Sequence, residues 1–107
     1  MAQEAIPAIL EERLPLPELL SFCGRHPAIQ FLWVFGSVLN DWRADSDVDF
    51  LVRCHSGQEP DWNEWDDMKE ELESLLGRKV DLINADWVEN PFVKAHIRKT
   101  RVLVYGT

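Results

Sequence analysis

Two aspartates separated by one residue stand at the start of an apolar run in this 107-residue chain. Asp47 and Asp49 flank Val48 and lead into Phe50–Val52. Because successive side chains of a β-strand point to opposite faces, we expect both carboxylates on the same face. Carboxylate oxygens are ligands that Mg²⁺ prefers, so this spacing predicts a site for a hard divalent cation.

A third aspartate completes the acidic group. Asp81 lies between Val80 and Leu82 in another predicted strand, and we expect it to join the same face. Two Mg²⁺ ions about 4 Å apart stabilise the attacking and leaving oxygens of a phosphoryl or nucleotidyl transfer. Without a cation, three close carboxylates would repel one another and at least one pKa would rise. The sequence therefore predicts Asp47, Asp49 and Asp81 as catalytic residues and as ligands of two Mg²⁺ ions.

Gly36 and Ser37 follow a dense apolar run and provide a second signal. A glycine lets the backbone approach a ligand closely. If a helix begins at Ser37, its free N–H groups and the hydroxyl would meet a phosphate, so we predict that this pair binds the triphosphate of a nucleotide. The motifs occur in the order Gly-Ser, then Ser-Asp-x-Asp about ten residues later, then Val-Asp-Leu. This combination is more specific than any one of the motifs alone. A coincidental surface pattern is the alternative interpretation.

These residues need a sheet to position them, and the periodicity of the sequence predicts one. Runs of β-branched and aromatic residues predict strands over 29–35, 48–52, 79–84 and 102–105. Apolar residues at helical spacing predict helices within 1–13 and over 17–23, 62–76 and 91–99, with a short helix or turn over 37–42. The expected architecture is an α/β (α+β) fold, a small mixed β-sheet flanked by helices in one domain spanning 1–107.

Composition narrows the class of partner and the compartment. Lys and Arg number 11 and Asp and Glu 19, so the net charge is −8, which argues against a general nucleic-acid binder. A basic partner or a metal suits this balance better. No apolar run approaches the roughly 20 residues that cross a bilayer, and Met1–Leu10 lacks the features of a signal peptide. With Cys23 and Cys54 read as reduced thiols, we predict a cytoplasmic protein without membrane contact.

The tryptophan and histidine residues indicate packing rather than a metal site. Trp62 and Trp65 lie on the apolar face of their predicted helix and are expected to pack in the core. The three histidines are far apart and show no metal-ligand spacing: His26, His55 and His96.

At its acidic and glycine motifs the chain resembles the DNA polymerase beta-like nucleotidyltransferase superfamily. In particular it resembles the minimal nucleotidyltransferase (MNT) antitoxins, which pair with helical HEPN toxins. The stretches that carry the resemblance are Val34–Ser37, Asp45–Val52, Val80–Leu82 and 90–105. They span nearly the whole chain from about Pro17.

The resemblance implies a fold, a reaction and a set of site residues. It implies the nucleotidyltransferase fold, with Gly36 and Ser37 binding the nucleotide and Asp47, Asp49 and Asp81 as magnesium ligands. The implied reaction transfers AMP from ATP to a tyrosine of a HEPN-type ribonuclease toxin and so inhibits it. The expected partners are that toxin, in a hetero-oligomer, and ATP.

Two departures from the family pattern leave alternatives open. Val38–Asp41 stands where the family often has arginine and small residues, and Thr100-Arg101 replaces the usual glycine after the last helix. Arg43 is a candidate for the missing positive charge. One alternative is a non-catalytic antitoxin that neutralises the toxin by stoichiometric binding. The other is a small-molecule nucleotidyltransferase, which the small size disfavours.

Overall fold

Strands and helices follow one another along the chain in the predicted order. The structure, a computed structural model, describes residues 7–106. The strands are β1 Ile29–Phe35, β2 Val48–Cys54, β3 Val80–Asn84 and β4 Val102–Tyr105. The helices are α1 Ala8–Arg13, α2 Leu16–Arg25, α3 Trp62–Leu76 and α4 Pro91–Thr100, with short 3-10 helices at Gly36–Leu39 and Ala85–Trp87. Part of the helix predicted within 1–13 is seen as α1, and residues 1–6 lie outside the described residues.

The four strands form one mixed sheet in the order β3-β2-β1-β4. β1 is antiparallel to both β2 and β4, and β2 is parallel to β3. Parallel neighbours need a crossover connection, and α3 provides it between β2 and β3. The predicted α/β (α+β) class, a small mixed sheet flanked by helices, is confirmed.

The two faces of the sheet carry different apolar clusters. On one face, buried strand residues such as Val34, Phe50 and Val52 pack with side chains of α1, α2 and α3. On the other face a smaller cluster is formed by Trp33, Leu51 and the α4 residue Ile97. Because strand side chains alternate, Asp49 and Asp81 lie on this second face.

Side-chain caps set the ends of two helices. The side chain of Asp61 accepts the Glu64 backbone N–H at the start of α3, and the Glu64 side chain accepts the Asp61 N–H. Gly77 ends α3 with a φ of +64°. Asn90 accepts backbone N–H groups at the start of α4. These are the caps that the sequence predicts, although α2 continues through Gly24 to Arg25 rather than ending at the glycine.

The prediction for the tryptophans of α3 is half right. Trp65 is 6% exposed and belongs to the core, but Trp62 is 71% exposed. Trp62 is the first residue of α3, and its ring packs against Trp87 at a centroid distance of 5.1 Å. Trp87 also contacts Trp65, at 5.4 Å, so it lies against both rings and Trp62 packs on it at the surface.

In the part of the chain that the structure describes, no helix has both the length and the apolar character needed to cross a bilayer.

Candidate active site

The parallel pairing of β2 and β3 brings two of the predicted acids into contact. Asp49 and Asp81 are partners in the β2–β3 register, and their side chains share a hydrogen bond. Asp47 directly precedes β2, two residues from Asp49, so it belongs to the same end of this face. Asp47 and Asp81 are exposed to solvent, whereas Asp49 is half-buried. The carboxyl groups of Asp49 and Asp81 are therefore in contact, and Asp47 lies next to this pair.

The carboxyl group of Asp49 carries the electrostatic signature of this arrangement. Its pKa is raised to about 6, first by burial and then by the hydrogen bond to Asp81 and the charges of Asp81 and Asp47. Close carboxylates are expected to disfavour each other's ionised form in this way. A cation bound between them would relieve the repulsion.

The three aspartates do not form a complete metal-binding site by themselves. Among residues 7–106, no set of three or more His, Cys, Asp or Glu side chains is grouped closely enough to hold a metal ion. The paired carboxylates of Asp49 and Asp81 still present the hard oxygen donors that Mg²⁺ prefers. Mg²⁺ also commonly keeps water and substrate phosphates as ligands, so two protein carboxylates can suffice. The assignment of Asp47, Asp49 and Asp81 as metal ligands stays a prediction.

Gly36 is required by the position of Asp49. Its φ is +81°, a backbone conformation that favours glycine. A Cβ added at Gly36 would overlap the Asp49 carboxylate, because β1 and β2 pair Phe35 with Asp49 just before it. The glycine therefore leaves open the space that the half-buried carboxylate occupies.

Ser37 connects the glycine turn to the acidic strand. Its hydroxyl donates a hydrogen bond to the backbone carbonyl of Asp47, at 3.2 Å. The helix expected to begin at Ser37 is a four-residue 3-10 helix, Gly36–Leu39, so it offers fewer aligned N–H groups than an α-helix. The predicted nucleotide-binding role of Gly36 and Ser37 stays a prediction.

Arg78 is a positioning residue that the sequence reading missed. Its guanidinium donates hydrogen bonds to the carbonyls of Arg43, Ala44 and Ser46, at 2.8, 3.1 and 3.2 Å. It also lies over the Trp42 ring, 3.9 Å from the centroid. These contacts fix the loop that leads into Asp47. Nothing in the local sequence signals them, because the partners lie 32 to 35 residues away.

Arg43 makes a different contact from the one considered at the sequence level. Its guanidinium pairs with the exposed Asp41 carboxylate at 3.2 Å, and its backbone N–H donates to the Ser46 hydroxyl. In this arrangement the side chain of Arg43 lies at the loop surface, and its role toward phosphate stays a prediction.

Comparison with known proteins establishes the family of this chain. The sequence model of the family described as "Polymerase beta, Nucleotidyltransferase" matches residues 18–107. This chain belongs to that nucleotidyltransferase family. The nucleotidyltransferase is also similar to MJ1379 of Methanocaldococcus jannaschii, which is named as a candidate protein adenylyltransferase. The two are 32% identical over 77 residues, 71% of this chain and 77% of the relative.

Solved structures agree with the family assignment. A candidate minimal nucleotidyltransferase matches with a TM-score of 0.68 and 30% identity, over 88% of this chain and 93% of its own. A toxin–antitoxin structure with AMP-PNP matches with a TM-score of 0.75 and 20% identity, over 88% and 75%. A tri-AMPylated Shewanella oneidensis HEPN toxin in complex with its MNT antitoxin matches with a TM-score of 0.65 and 18% identity, over 86% and 70%. The last two identities support the fold alone.

Proposed function

We propose that this nucleotidyltransferase is an antitoxin that transfers AMP from ATP to a tyrosine of a HEPN-type toxin, with Mg²⁺ as cofactor. The observation that carries the proposal is the Asp49–Asp81 carboxylate pair beside the open backbone at Gly36. The comparisons support it, since a relative is named as a candidate protein adenylyltransferase and fold neighbours are toxin–antitoxin complexes.

The chain's own residues have distinct tasks in this reaction. Gly36 and Ser37 bind the triphosphate, and Asp47 and Asp49 would hold Mg²⁺. Asp81 completes the acidic group and accepts the proton of the acceptor hydroxyl. Bound Mg²⁺ supplies charge neutralisation at the phosphates.

The reaction balances as a simple displacement at phosphorus. The tyrosine oxygen forms a bond to the α-phosphorus of ATP, the bond from that phosphorus to the β-phosphate oxygen breaks, and pyrophosphate leaves. An acceptor can be modified more than once, as the tri-AMPylated toxin of the fold neighbour illustrates. The modified acceptor then carries phosphate esters close to the enzyme.

Labelled ATP provides a direct test. The wild-type protein, incubated with α-labelled ATP, Mg²⁺ and a candidate HEPN-type toxin, should label the toxin. The double variant Asp47→Asn with Asp49→Asn should lose at least 100-fold of the labelling rate. Asp45→Asn is the matched control, because Asp45 is an exposed acid of the same loop outside the predicted site. Labelling by the double variant at the wild-type rate would overturn the proposal.

A second candidate, neutralisation by binding alone, is favoured by two observations. The described residues hold no group of three metal-ligating side chains, and the short 3-10 helix after Phe35 offers few free N–H groups. In this case the Asp47→Asn, Asp49→Asn variant would still protect cells from the toxin. Loss of protection with toxin binding retained would exclude it.

A further inference from the structure

The sheet face that carries the acids also carries a basic cavity. The cavity has a volume of about 150 Å³ and lies between β2 and α4, where Leu51 and Ile97 form its apolar wall. Arg53 of β2 lines it and stands on the same face as Asp49, because the two are an even number of residues apart. At the rise of a β-strand, four residues place Arg53 about 13 Å from Asp49.

Four cations surround this space in a protein of net charge −8. They come from different elements: Arg53 from β2, Lys94 and Arg98 from α4, and Arg101 from the residue after α4. Asp86 is the acid that lines the cavity, and it pairs with Arg53 at 3.6 Å. Within residues 7–106, no ion pair links the other three cations to a carboxylate.

Arg101 shows that the cations crowd one another. Its guanidinium lies over the Trp33 ring, 4.2 Å from the centroid. Burial lowers its pKa, and the charges of Arg98 and Arg53 lower it further. Like charges held together in this way are unfavourable unless an anion compensates them.

The helix dipole explains only part of the cluster. Basic residues in a last helical turn, here Arg98 and Lys99, interact favourably with the C-terminus of α4. That effect does not bring Arg53 from the sheet, and it does not stack Arg101 on Trp33. Convergence of separate elements on one cavity indicates a binding site rather than a helix cap.

The dimensions select the ligand. Sites for drug-sized molecules typically have volumes of about 300–1,000 Å³, so this cavity suits a small anion or one group of a larger molecule. Arginine forks match phosphate oxygens in geometry and charge. We propose that this cavity, on the same sheet face as Asp49, binds a phosphate group of the acceptor. The proposal rests on the proposed function, in which an acceptor that has already received AMP presents a phosphate ester.

NMR of the ¹⁵N-labelled full chain tests the site directly, without Mg²⁺ or ATP. Inorganic phosphate and dimethyl phosphate are the probes, one for a free anion and one for a phosphodiester. We expect the Arg101 Nε–H and Trp33 indole N–H resonances to shift saturably. Tighter binding of dimethyl phosphate would identify an ester on the acceptor as the source, and tighter binding of inorganic phosphate would identify the free anion.

Two matched double variants separate a built site from net charge. Arg98→Gln with Arg101→Gln should weaken binding at least 10-fold, whereas Lys69→Gln with Lys99→Gln, which removes the same charge outside the cavity, should change it less than 2-fold. If loss of the Trp33 stack prevents folding, Lys94→Gln with Arg98→Gln replaces the first pair, since both residues are exposed.

Several results would overturn the proposal. They are equal weakening by the control pair, equal competition by triglutamate, no saturable shift, or shifts confined to the backbone of Gly36 and Ser37. Because the measurement needs no catalysis, loss of nucleotidyl transfer leaves it interpretable. If the enzyme transfers AMP but does not bind phosphate, the proposed phosphate site is wrong and the proposed function stands.

Discussion

The carboxylate of Asp49 lies between a backbone with no room for a side chain, at Gly36, and a second carboxylate, at Asp81. Its raised pKa means that the folded protein holds a proton there at a pH where the unfolded chain has lost it. An acid with a raised pKa makes the fold less stable as pH rises from about 4 to about 6. Burial of this carboxylate, together with repulsion from Asp81 and Asp47, therefore lowers the stability of the metal-free protein at neutral pH.

Replacing this acid should stabilise the metal-free fold. A change of pKa from 3.8 to about 6 corresponds to roughly 3 kcal/mol, which solvent screening of this half-exposed group reduces to the order of 1 kcal/mol. Asp49→Asn should thus raise Tm by about 4 °C at pH 7 in EDTA, measured by circular dichroism. The gain should vanish below about pH 3, where the wild-type group is protonated in both states. A lower Tm at pH 7 would contradict the prediction.

Gly36 can be tested against a glycine of the same conformation. Gly36 and Gly57 both have φ +81°, but a Cβ at Gly57 meets nothing within 4 Å. Gly57→Ala should cost about 1 kcal/mol of unfolding free energy from backbone strain alone. Gly36→Ala should cost at least about twice that in denaturant titration, because it also displaces the Asp49 carboxylate. Equal losses would show that the space at Asp49 is not tight.

At the scale of elements, local sequence patterns were sufficient to predict the bounds of several strands and helices. The β-branched and aromatic run at Ile29–Phe35 and the capping box at Asp61 gave strand and helix bounds that the structure repeats. The relation between Asp49 and Asp81 was also predictable in kind, because both lie within apolar strands. Their pairing register was not, since it depends on which strands become neighbours.

Contacts between elements that are distant in the chain could not be predicted from the sequence. Arg78 looks like the end of a helix, and its three carbonyl partners follow only from the folded path of the loop after Leu39. The exposure of Trp62 depends in the same way on the position of Trp87. The cavity cations come from the strand, the helix and the residue after it, and no spacing rule joins them.

The loop before β2 should loosen when Arg78 is removed. Arg78→Ala deletes charge-assisted hydrogen bonds and the stack on Trp42, so we expect a loss of about 1–2 kcal/mol in unfolding free energy. Nucleotidyl transfer should fall about 10-fold, because Asp47 follows this loop. Arg43→Ala, which removes only an exposed ion pair, is the control and should cost less than about 0.5 kcal/mol. Unchanged activity in Arg78→Ala would refute its positioning role.

A substitution at the N-terminal cap of α3 should change stability without changing activity. Asp61→Ala removes the acceptor for the Glu64 N–H and should cost about 1 kcal/mol. Transfer activity should persist, since Asp61 lies outside the acidic site. Asp66→Ala, an exposed acid later in α3, is the control for lost charge. A comparable loss in that control, measured by thermal denaturation, would argue against the cap.

At the scale of the whole molecule, charge is unevenly distributed. The net charge is −8, yet one cavity collects four cations and the opposite end of that sheet face collects three acids. Because a large net charge destabilises the compact state and salt screens it, NaCl between 0.01 and 0.2 M should raise Tm by a few degrees. Differential scanning calorimetry measures this shift. A fall in Tm would mean that attractive pairs outweigh the repulsion.

The parallel pairing of β2 with β3 has a consequence for the timing of synthesis. Asp49 and Asp81 meet across a register whose partners are 32 residues apart in the chain. At roughly 5–20 residues per second, Asp81 is polymerised about 2–6 s after Asp49. During that interval the nascent protein holds one half of an acid pair and cannot have the repulsion that the finished pair brings. The pair of Asp49 and Asp81 can therefore form only after β3 has been translated.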